Sequence, residues 1–269
     1  MVKRIIIAAI ILPVVTVFIF IENPYPFAAL GIFALTLAVY EFFMMLEKKG
    51  LKTYKTAGIL AGLALFAVVI TGAPAEWIYP GLAGFVIILF ILVIFSNDYK
   101  NLPAVFFTAA GVLYISVLGS FGIKFKFMEN GQWWLFILLL MTWVYDAGAY
   151  FVGSAIGRHK LLPRISPGKT VEGCAGGVVI NVITSVIVFY TVIPAGLGLR
   201  VYDMAVLAVI LSFAGQAGDL SASLVKRYCG VKNSSGLLGP HGGLMDKIDS
   251  SIFNAPALML YITMVPGIL

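Results

Sequence analysis

The stretch that decides the fold class lies at residues 78–96 and has the sequence IYPGLAGFVIILFILVIFS. It carries no charged side chain, and a membrane-spanning helix needs about 20 predominantly apolar residues. The whole chain agrees, since 61% of its residues are hydrophobic, 11% are charged and the mean hydropathy is +1.03. Soluble domains are about 45–50% apolar and about 25% charged. The sequence therefore predicts an integral membrane protein.

Further apolar stretches of similar length occur along the chain, separated by short connections that contain Pro, Gly, Asn or charged residues. With 78–96 they lie near 5–21, 27–46, 56–73, 102–122, 132–153, 172–194, 202–222 and 248–266. We predict an all-α polytopic membrane protein with about nine transmembrane helices in one membrane domain, 1–269. The first stretch follows Lys3 and Arg4 as in a signal peptide, but no small-residue cleavage site follows, so we interpret it as a retained helix.

The net charge of +6 comes from Lys and Arg residues in the short connections. This placement favours a membrane orientation signal over nucleic-acid binding. With nine spans, every Lys and Arg except Lys124, Lys126 and Arg200 falls on the side of the N-terminus. Cytoplasmic loops are rich in these residues. We predict a multi-pass protein of the cell inner (cytoplasmic) membrane, with the N-terminus inside and the C-terminus outside.

Pairs of glycines four residues apart recur in the spans, a spacing typical of closely packed helices. We interpret them as packing within one chain, with contacts in a homodimer as the alternative. The pairs are Gly58 and Gly62, Gly153 and Gly157, and Gly173 and Gly177.

Carboxylates concentrate near the predicted cytoplasmic ends of the last four spans. Asp146 lies inside the sixth span and Asp219 near the end of the eighth, while Asp246 and Asp249 share a face if the ninth span begins there. A charge in the hydrocarbon costs at least about 2.5–3.5 kcal/mol, so such acids usually face a cation, a metal or a water-filled cavity. Oxygen ligands without paired Cys or His favour Mg²⁺ over Zn²⁺. The alternative is that these acids form ion pairs with Lys226, Arg227 or Lys247. Glu41 in the second span could reach this site or pair with a nearby lysine, and we favour the pairing.

Two turns near these acids are suited to phosphate. Ser166 before Pro167 predicts a helix N-cap, which places Lys169 and Thr170 in a first turn whose free N–H groups attract phosphate. The glycine-rich stretch 239–243 lets backbone amides approach a ligand and leads into a helix. Carboxylates, lysines and amide-rich turns together indicate polyphosphate binding. The sequence has no G-x-x-x-x-G-K-[ST] loop, which argues against a P-loop ATPase.

A longer pattern joins these residues. Ser223-Leu-Val-Lys226-Arg227 is followed by Lys232, by His241-Gly242-Gly243 and by Asp246 and Asp249. This arrangement resembles the phosphatidate cytidylyltransferases, also called CDP-diacylglycerol synthases, whose pattern is S-x-x-K-R, K-D, P-G-H-G-G and D-R-x-D. The earlier stretches Asp146-x-x-Ala-Tyr and Ser166-Pro-x-Lys-Thr-x-Glu-Gly also resemble this family. Asn233, the order Gly239-Pro240 and Lys247 depart from the pattern.

The resemblance implies that the cytidylyl group of CTP is transferred to phosphatidate, giving CDP-diacylglycerol and pyrophosphate in phospholipid synthesis. It implies Mg²⁺ as the cofactor, with room for a second cation, and makes 132–269 the catalytic portion and the helices of 1–96 a scaffold or dimer contact. The implied catalytic residues are Asp219, Asp246, Lys226 and Arg227, and the implied metal ligands are Asp219, Asp246, Asp249 and Asp146. The implied substrate-binding residues are Ser166, Lys169, Thr170, Ser223, His241, Gly242, Gly243 and Lys247.

Two other functions fit part of the pattern. A CTP-dependent lipid-alcohol kinase would transfer the γ-phosphate instead and release CDP, with Asp146 or His241 as the base. A cation-coupled transporter would also use intramembrane acids, but transporters tend to carry related sites in both halves of the chain. Here the acids crowd the second half, which favours an enzyme whose partners are CTP, phosphatidate and the bilayer.

Overall fold

The computed structural model describes residues 13–237, 242–265 and 267, and these are predominantly helical. Residues 13–20 are helical. The helices that follow are α1 (Pro24–Lys48), α2 (Lys55–Ile70), α3 (Ile78–Ser96), α4 (Leu102–Gly111), α5 (Leu118–Lys126), α6 (Gly131–Ile156), α7 (Val171–Thr191), α8 (Val201–Tyr228) and α9 (Met245–Met264). A π-helical turn, Val112–Val117, joins α4 to α5. Two short antiparallel strands, β1 (Lys160–Leu162) and β2 (Ser166–Thr170), form a hairpin between α6 and α7.

The prediction of an all-α polytopic membrane protein is confirmed. Within the described residues, six helices are long and apolar enough to cross a membrane: α1, α3, the joined helix Tyr99–Lys126, α6, α7 and α8. Helix α2 is apolar but shorter, and α9 opens with the polar residues Asp246, Lys247 and Asp249. Residues 5–12 of the predicted first span lie outside the described residues. The number nine is therefore not confirmed, although helices occupy the other eight predicted positions.

The chain divides into two compact units. Unit 1 comprises Met1–Met128 and Lys226–Ile248, and unit 2 comprises Glu129–Val225 and Asp249–Leu269. In unit 1, α1, α2 and the joined helix pack against one another. Small residues allow this approach, because a Cβ added at Gly58 would meet the Phe43 ring and one at Gly62 would meet the Ser116 hydroxyl.

In unit 2, helices α6 and α7 pack closely against each other. A Cβ on Gly173 would meet the backbone of Ala149 and Gly153, and one on Gly177 would meet Ala149 and Tyr145. These glycines therefore let two backbones approach within one chain, as predicted from their spacing. Buried polar side chains join the other helices of the unit, since Asn254 of α9 donates to Thr142 of α6 at 2.7 Å.

The prediction of a helix beginning at Ser166 is wrong. Ser166–Thr170 is strand β2, and the helix begins at Val171. The N-cap is Thr170, whose hydroxyl accepts a hydrogen bond from Gly173 N at 3.1 Å. Glu172 in the first turn accepts from the backbone N–H groups of Arg158 and His159 and so ties the hairpin to the helix. Lys169 consequently lies on a strand just before the cap and not in a helical turn.

Candidate active site

One group of predicted site residues assembles in unit 2, and we call it the Lys169 cluster: Asp146, Lys169, Asp219 and Ser223. The ammonium of Lys169, on β2, lies 2.7 Å from Asp219 Oδ2 on α8. One turn further along α8, Ser223 Oγ donates to Asp219 Oδ1 at 3.3 Å. Asp146 of α6 lies within electrostatic reach of both Asp219 and Lys169. The hairpin and two helices thus bring two carboxylates, a lysine and a hydroxyl together.

The two ion-paired side chains of the Lys169 cluster keep some access to solvent. The Lys169 and Asp219 side chains are 21% and 30% exposed. The pair is therefore partly buried and still reachable by a ligand. An anionic ligand can compete with Asp219 for the ammonium, as a phosphate-binding lysine requires.

A second group assembles in unit 1, and we call it the Glu41 cluster: Glu41, Lys226, Ser234, Ser235 and Asp246. Lys226 Nζ, near the end of α8, lies 2.5 Å from Asp246 Oδ1 in the first turn of α9. The other carboxylate oxygen, Oδ2, accepts from Ser234 N, Ser234 Oγ and Gly243 N, each at 2.9 Å. Burial opposes the charged form of Asp246, but the bonds from Lys226, Gly243 and Ser234 outweigh it and hold the pKa of this carboxyl below its usual range.

Glu41 is the member of this cluster that the sequence prediction assigned differently. It does not simply pair with a lysine: its carboxylate is 1% exposed and accepts hydrogen bonds from Ser234 Oγ, Ser235 Oγ and the backbone N–H groups of Leu244 and Met245. An isolated acid in a span usually has a functional or structural partner, and that signal identified Glu41 as a residue of interest. Its partners lie some 193 residues away in the sequence, so the sequence did not reveal them.

Gly242 and Gly243 lie where the chain turns into α9. Gly242 has a φ of +80°, and a Cβ there would meet Asp246 Oδ2. A Cβ on Gly243 would meet both Ser234 Oγ and the Glu41 carboxylate. Both positions therefore require glycine, because the carboxylates approach the backbone too closely for a side chain. The predicted amide-rich turn is present in the described part of this segment, and its Gly243 N–H is directed at Asp246.

The other predicted residues are placed as follows. Asp249, buried in α9, accepts from Ser250 N at 2.9 Å. Arg227 is exposed and donates to the Val231 carbonyl at 3.3 Å. Lys247 is exposed on α9, Ser166 is partly buried at the start of β2, and Thr170 caps α7. His241, Gly239 and Pro240 lie outside the described residues. The structure thus assembles five of the predicted residues into ion-paired clusters, with Ser223 bonded to one of them.

The donor set is suited to a hard cation. Among the described residues, no three His, Cys, Asp or Glu side chains group as a ready metal shell. Mg²⁺ at phosphate-transfer sites usually takes one or two carboxylates and completes its shell with water and substrate phosphates. Asp146 and Asp219 fit that requirement. Both oxygens of Asp246 are engaged by lysine, serine and backbone donors, and its role as a metal ligand, like that of Asp249, stays a prediction.

Lysine–carboxylate pairs beside amide-rich turns, on helices that span a membrane, define a membrane protein that handles phosphate groups. The family follows from comparison of sequences: the Cytidylyltransferase family matches residues 2–265. Since this is nearly the whole chain, the protein belongs to that family. The resemblance and the prediction of a cytidylyl-transferring enzyme are confirmed.

Curated relatives agree with the family. The phosphatidate cytidylyltransferase of Bacillus subtilis (strain 168) is 33% identical over 264 residues, which cover 95% of this chain and 96% of the relative. The phosphatidate cytidylyltransferase of Staphylococcus haemolyticus (strain JCSC1435) is 31% identical over 231 residues, covering 85% and 88%. That of Staphylococcus aureus (strain COL) is 31% identical over 234 residues, with the same coverage.

Proposed function

We propose that this chain transfers the cytidylyl group of CTP to phosphatidate, producing CDP-diacylglycerol and pyrophosphate. The observation that carries the proposal is the Lys169–Asp219 pair, a partly buried cation on β2 beside a carboxylate of the spanning helix α8, in a chain whose family transfers cytidylyl groups. The relatives named phosphatidate cytidylyltransferase support phosphatidate as the acceptor. A lipid substrate also explains why the polar groups are built into membrane helices.

The reaction needs little covalent chemistry from the protein. An oxygen of the phosphatidate phosphate forms a bond to the α-phosphorus of CTP. The bond from that phosphorus to the bridging oxygen of the β-phosphate breaks, and pyrophosphate leaves with the electron pair. A phosphomonoester has a second pKa of about 6 and is already anionic at neutral pH. No hydroxyl must be activated, so positioning and charge neutralisation carry the catalysis.

Lysine supplies part of that neutralisation. Lys169 leaves Asp219 to bind a phosphate oxygen, and Ser223 retains Asp219 by its hydroxyl. Lys226, which Asp246 holds within unit 1, is the second lysine of the proposal. Mg²⁺, when bound to Asp146 and Asp219, supplies charge stabilisation for phosphate oxygens. A second cation and the phosphate contacts of Arg227, His241 and Lys247 remain part of the proposal.

The proposal is tested with purified protein, phosphatidate, Mg²⁺ and CTP labelled at the α-phosphate. We expect the label to enter the lipid fraction, and the transfer to stop when EDTA removes the metal and to resume when Mg²⁺ is returned. Binding of Mn²⁺ followed by electron paramagnetic resonance, lost in Asp219→Asn, reports on the metal site independently of turnover. Absence of label in the lipid, with CDP released when a lipid alcohol is added, would instead establish a kinase.

The membrane placement has its own test. We propose the inner (cytoplasmic) membrane, with the N-terminus and the active site cytoplasmic and the C-terminus outside, on the strength of the lysine and arginine distribution. Reporter fusions at each connection give the orientation directly. A homodimer, the remaining partner prediction, is tested by cross-linking in native membranes, in which a monomer-sized band alone would exclude it.

A further inference from the structure

The carboxylate of Glu41 occupies an unusual position for an acid of a membrane-spanning helix. It is buried on α1, yet its four hydrogen bonds in the described part of the chain come from neutral donors of one distant segment. Oε1 accepts from Ser235 Oγ at 2.6 Å and Leu244 N at 3.0 Å. Oε2 accepts from Ser234 Oγ at 3.0 Å and Met245 N at 2.9 Å. Each oxygen thus takes one serine hydroxyl and one backbone N–H.

The donors stand at the two ends of a single segment. Ser234 and Ser235 precede the glycine-rich stretch, and Leu244 and Met245 follow it at the start of α9. A helix N-terminus leaves backbone N–H groups without partners inside the helix, and a carboxylate there is favourable. Glu41 therefore serves as a cap of α9 supplied by another helix, and it also holds Ser234 and Ser235.

The predicted catalytic pair of unit 1, Lys226 and Asp246, contacts these residues. Ser234 Oγ lies 2.9 Å from Asp246 Oδ2 as well as 3.0 Å from Glu41 Oε2. A hydroxyl carries one proton and donates to one acceptor at a time, so Ser234 Oγ donates to either Glu41 or Asp246 and lies between the two carboxylates. Asp246 in turn holds Lys226. The contacts therefore run from Glu41 through Ser234 and Asp246 to the ammonium of Lys226.

We infer that Glu41 is a positioning residue for cytidylyl transfer, which holds its four donors, Ser234, Ser235, Leu244 and Met245, and thereby the Asp246–Lys226 pair. This inference rests on the proposed function. It assigns a role in the reaction to α1, in the part of the chain that the sequence treated as scaffold. Glu41 touches neither substrate in this scheme and acts through the donors that it holds.

Glutamine is the sharpest replacement, since it keeps the length of the side chain. A serine can reorient its hydroxyl toward an amide, but a backbone N–H cannot. In either orientation, the amide nitrogen of Glu41→Gln would face a backbone N–H, Leu244 or Met245, and one bond at the start of α9 is lost. We expect kcat to fall by about 10–100-fold with little change in the KM for CTP, as for a lost positioning contact.

The matched control is Glu47→Gln on the same helix. Glu47 lies 2.8 Å from Lys55 in a partly exposed ion pair, and we expect wild-type kcat. Hydrogen–deuterium exchange supplies a readout that does not depend on turnover: the amides of 243–245 should exchange faster in Glu41→Gln and not in Glu47→Gln. Ser235→Ala removes one donor to Glu41 and leaves the bond from Leu244 N. It should lower kcat and the exchange protection of 243–245 by less than Glu41→Gln does. If Glu41→Gln does not fold, Ser235→Ala provides the test.

Three outcomes would overturn the inference: wild-type kcat in folded Glu41→Gln, an equal loss in Glu47→Gln, or a lower kcat with unchanged exchange at 243–245. A wild-type protein that transfers no label would refute the proposed function instead, while the exchange experiment would still report whether Glu41 holds the start of α9.

Discussion

The two lysine–carboxylate pairs have the same chemistry and different surroundings. Lys169 and Asp219 are 21% and 30% exposed, and Asp219 has one serine as a further partner. Lys226 and Asp246 are 11% and 12% exposed, and Asp246 accepts three further hydrogen bonds from Ser234 and Gly243. The first pair is more accessible, and the carboxylate of the second accepts more hydrogen bonds. The Lys169 cluster is therefore the better candidate for binding a ligand, and the Glu41 cluster for holding the start of α9.

The largest expected effect is a loss of activity with little loss of stability, caused by a substitution on α8. Asp219→Asn should lower kcat by about 10²–10³-fold, because a charge that neutralises or binds the reacting phosphates is lost. The thermal midpoint should change little, since the pair is only partly buried and ion pairs that water reaches contribute little to stability. Label transfer and thermal unfolding in detergent measure both.

Asp203→Asn is the matched control on α8. Asp203 is 2% exposed and accepts from Arg200 N and Tyr261 Oη, which are structural contacts. Here we expect a lower thermal midpoint with wild-type kcat per folded molecule. If Asp219→Asn, like Asp203→Asn, lowered the thermal midpoint and left kcat unchanged, the Lys169 cluster would be structural and would not differ in role from the Asp203 contacts.

Asp246→Asn should combine a loss of transfer with a loss of stability. It leaves the ammonium of Lys226 in a largely buried place without its counter-charge, and breaking such a pair costs about 3–5 kcal/mol. The double variant with Lys226→Met removes the stranded charge and should be more stable than Asp246→Asn alone. Thermal unfolding of the two single variants and the double variant gives the coupling, and strictly additive effects would contradict a buried pair.

Gly243→Ala tests how closely the Glu41 cluster is packed. The added methyl group would meet Ser234 Oγ and the Glu41 carboxylate, and we expect a destabilisation of about 1–3 kcal/mol. Gly236→Ala is the control in the same segment, because no atom lies within 4 Å of a Cβ there. Equal unfolding temperatures for the two variants would mean that the segment tolerates displacement.

The smallest expected effect concerns the hairpin that carries Lys169. Thr170→Ala removes the cap of α7 and should cost about 1 kcal/mol. Ser166→Ala should change stability by less than about 0.5 kcal/mol, since Ser166 starts a strand instead of a helix. Thermal unfolding of the two variants compares them, and a larger loss in Ser166→Ala would restore the helix start predicted from the sequence.

Helix positions were predictable because lipid imposes a local rule. A segment in hydrocarbon must satisfy its own backbone hydrogen bonds, so a sufficiently long apolar run forms a helix whatever surrounds it. The helix start at Ser166 was mispredicted because two candidate caps lie four residues apart. The strand pairing of β1 with β2, and the bonds from Arg158 and His159 to Glu172, favour Thr170, and these contacts are not visible in a local pattern.

The residues of the site were also predictable by type. Intramembrane acids are costly without partners, so Asp146, Asp219 and Glu41 were conspicuous in the sequence. The partners of these acids were not predictable. The sequence analysis offered Lys226, Arg227 or Lys247 as ion-pairing partners, whereas the lysine beside Asp219 is Lys169. Ser234 and Ser235 had no distinguishing pattern at all, because a loop serine is common and its acceptor lies on another helix.

The sequence by itself determined the membrane class, the helix positions and the phosphate-directed chemistry, because hydropathy and residue type act over a few turns of chain. Only the tertiary structure decided which lysine holds which carboxylate, and that Glu41 of the N-terminal half accepts hydrogen bonds from Ser234, Ser235, Leu244 and Met245. Those pairings depend on contacts between residues as much as 204 positions apart, and the free energy of each such contact is set by the geometry of the folded chain.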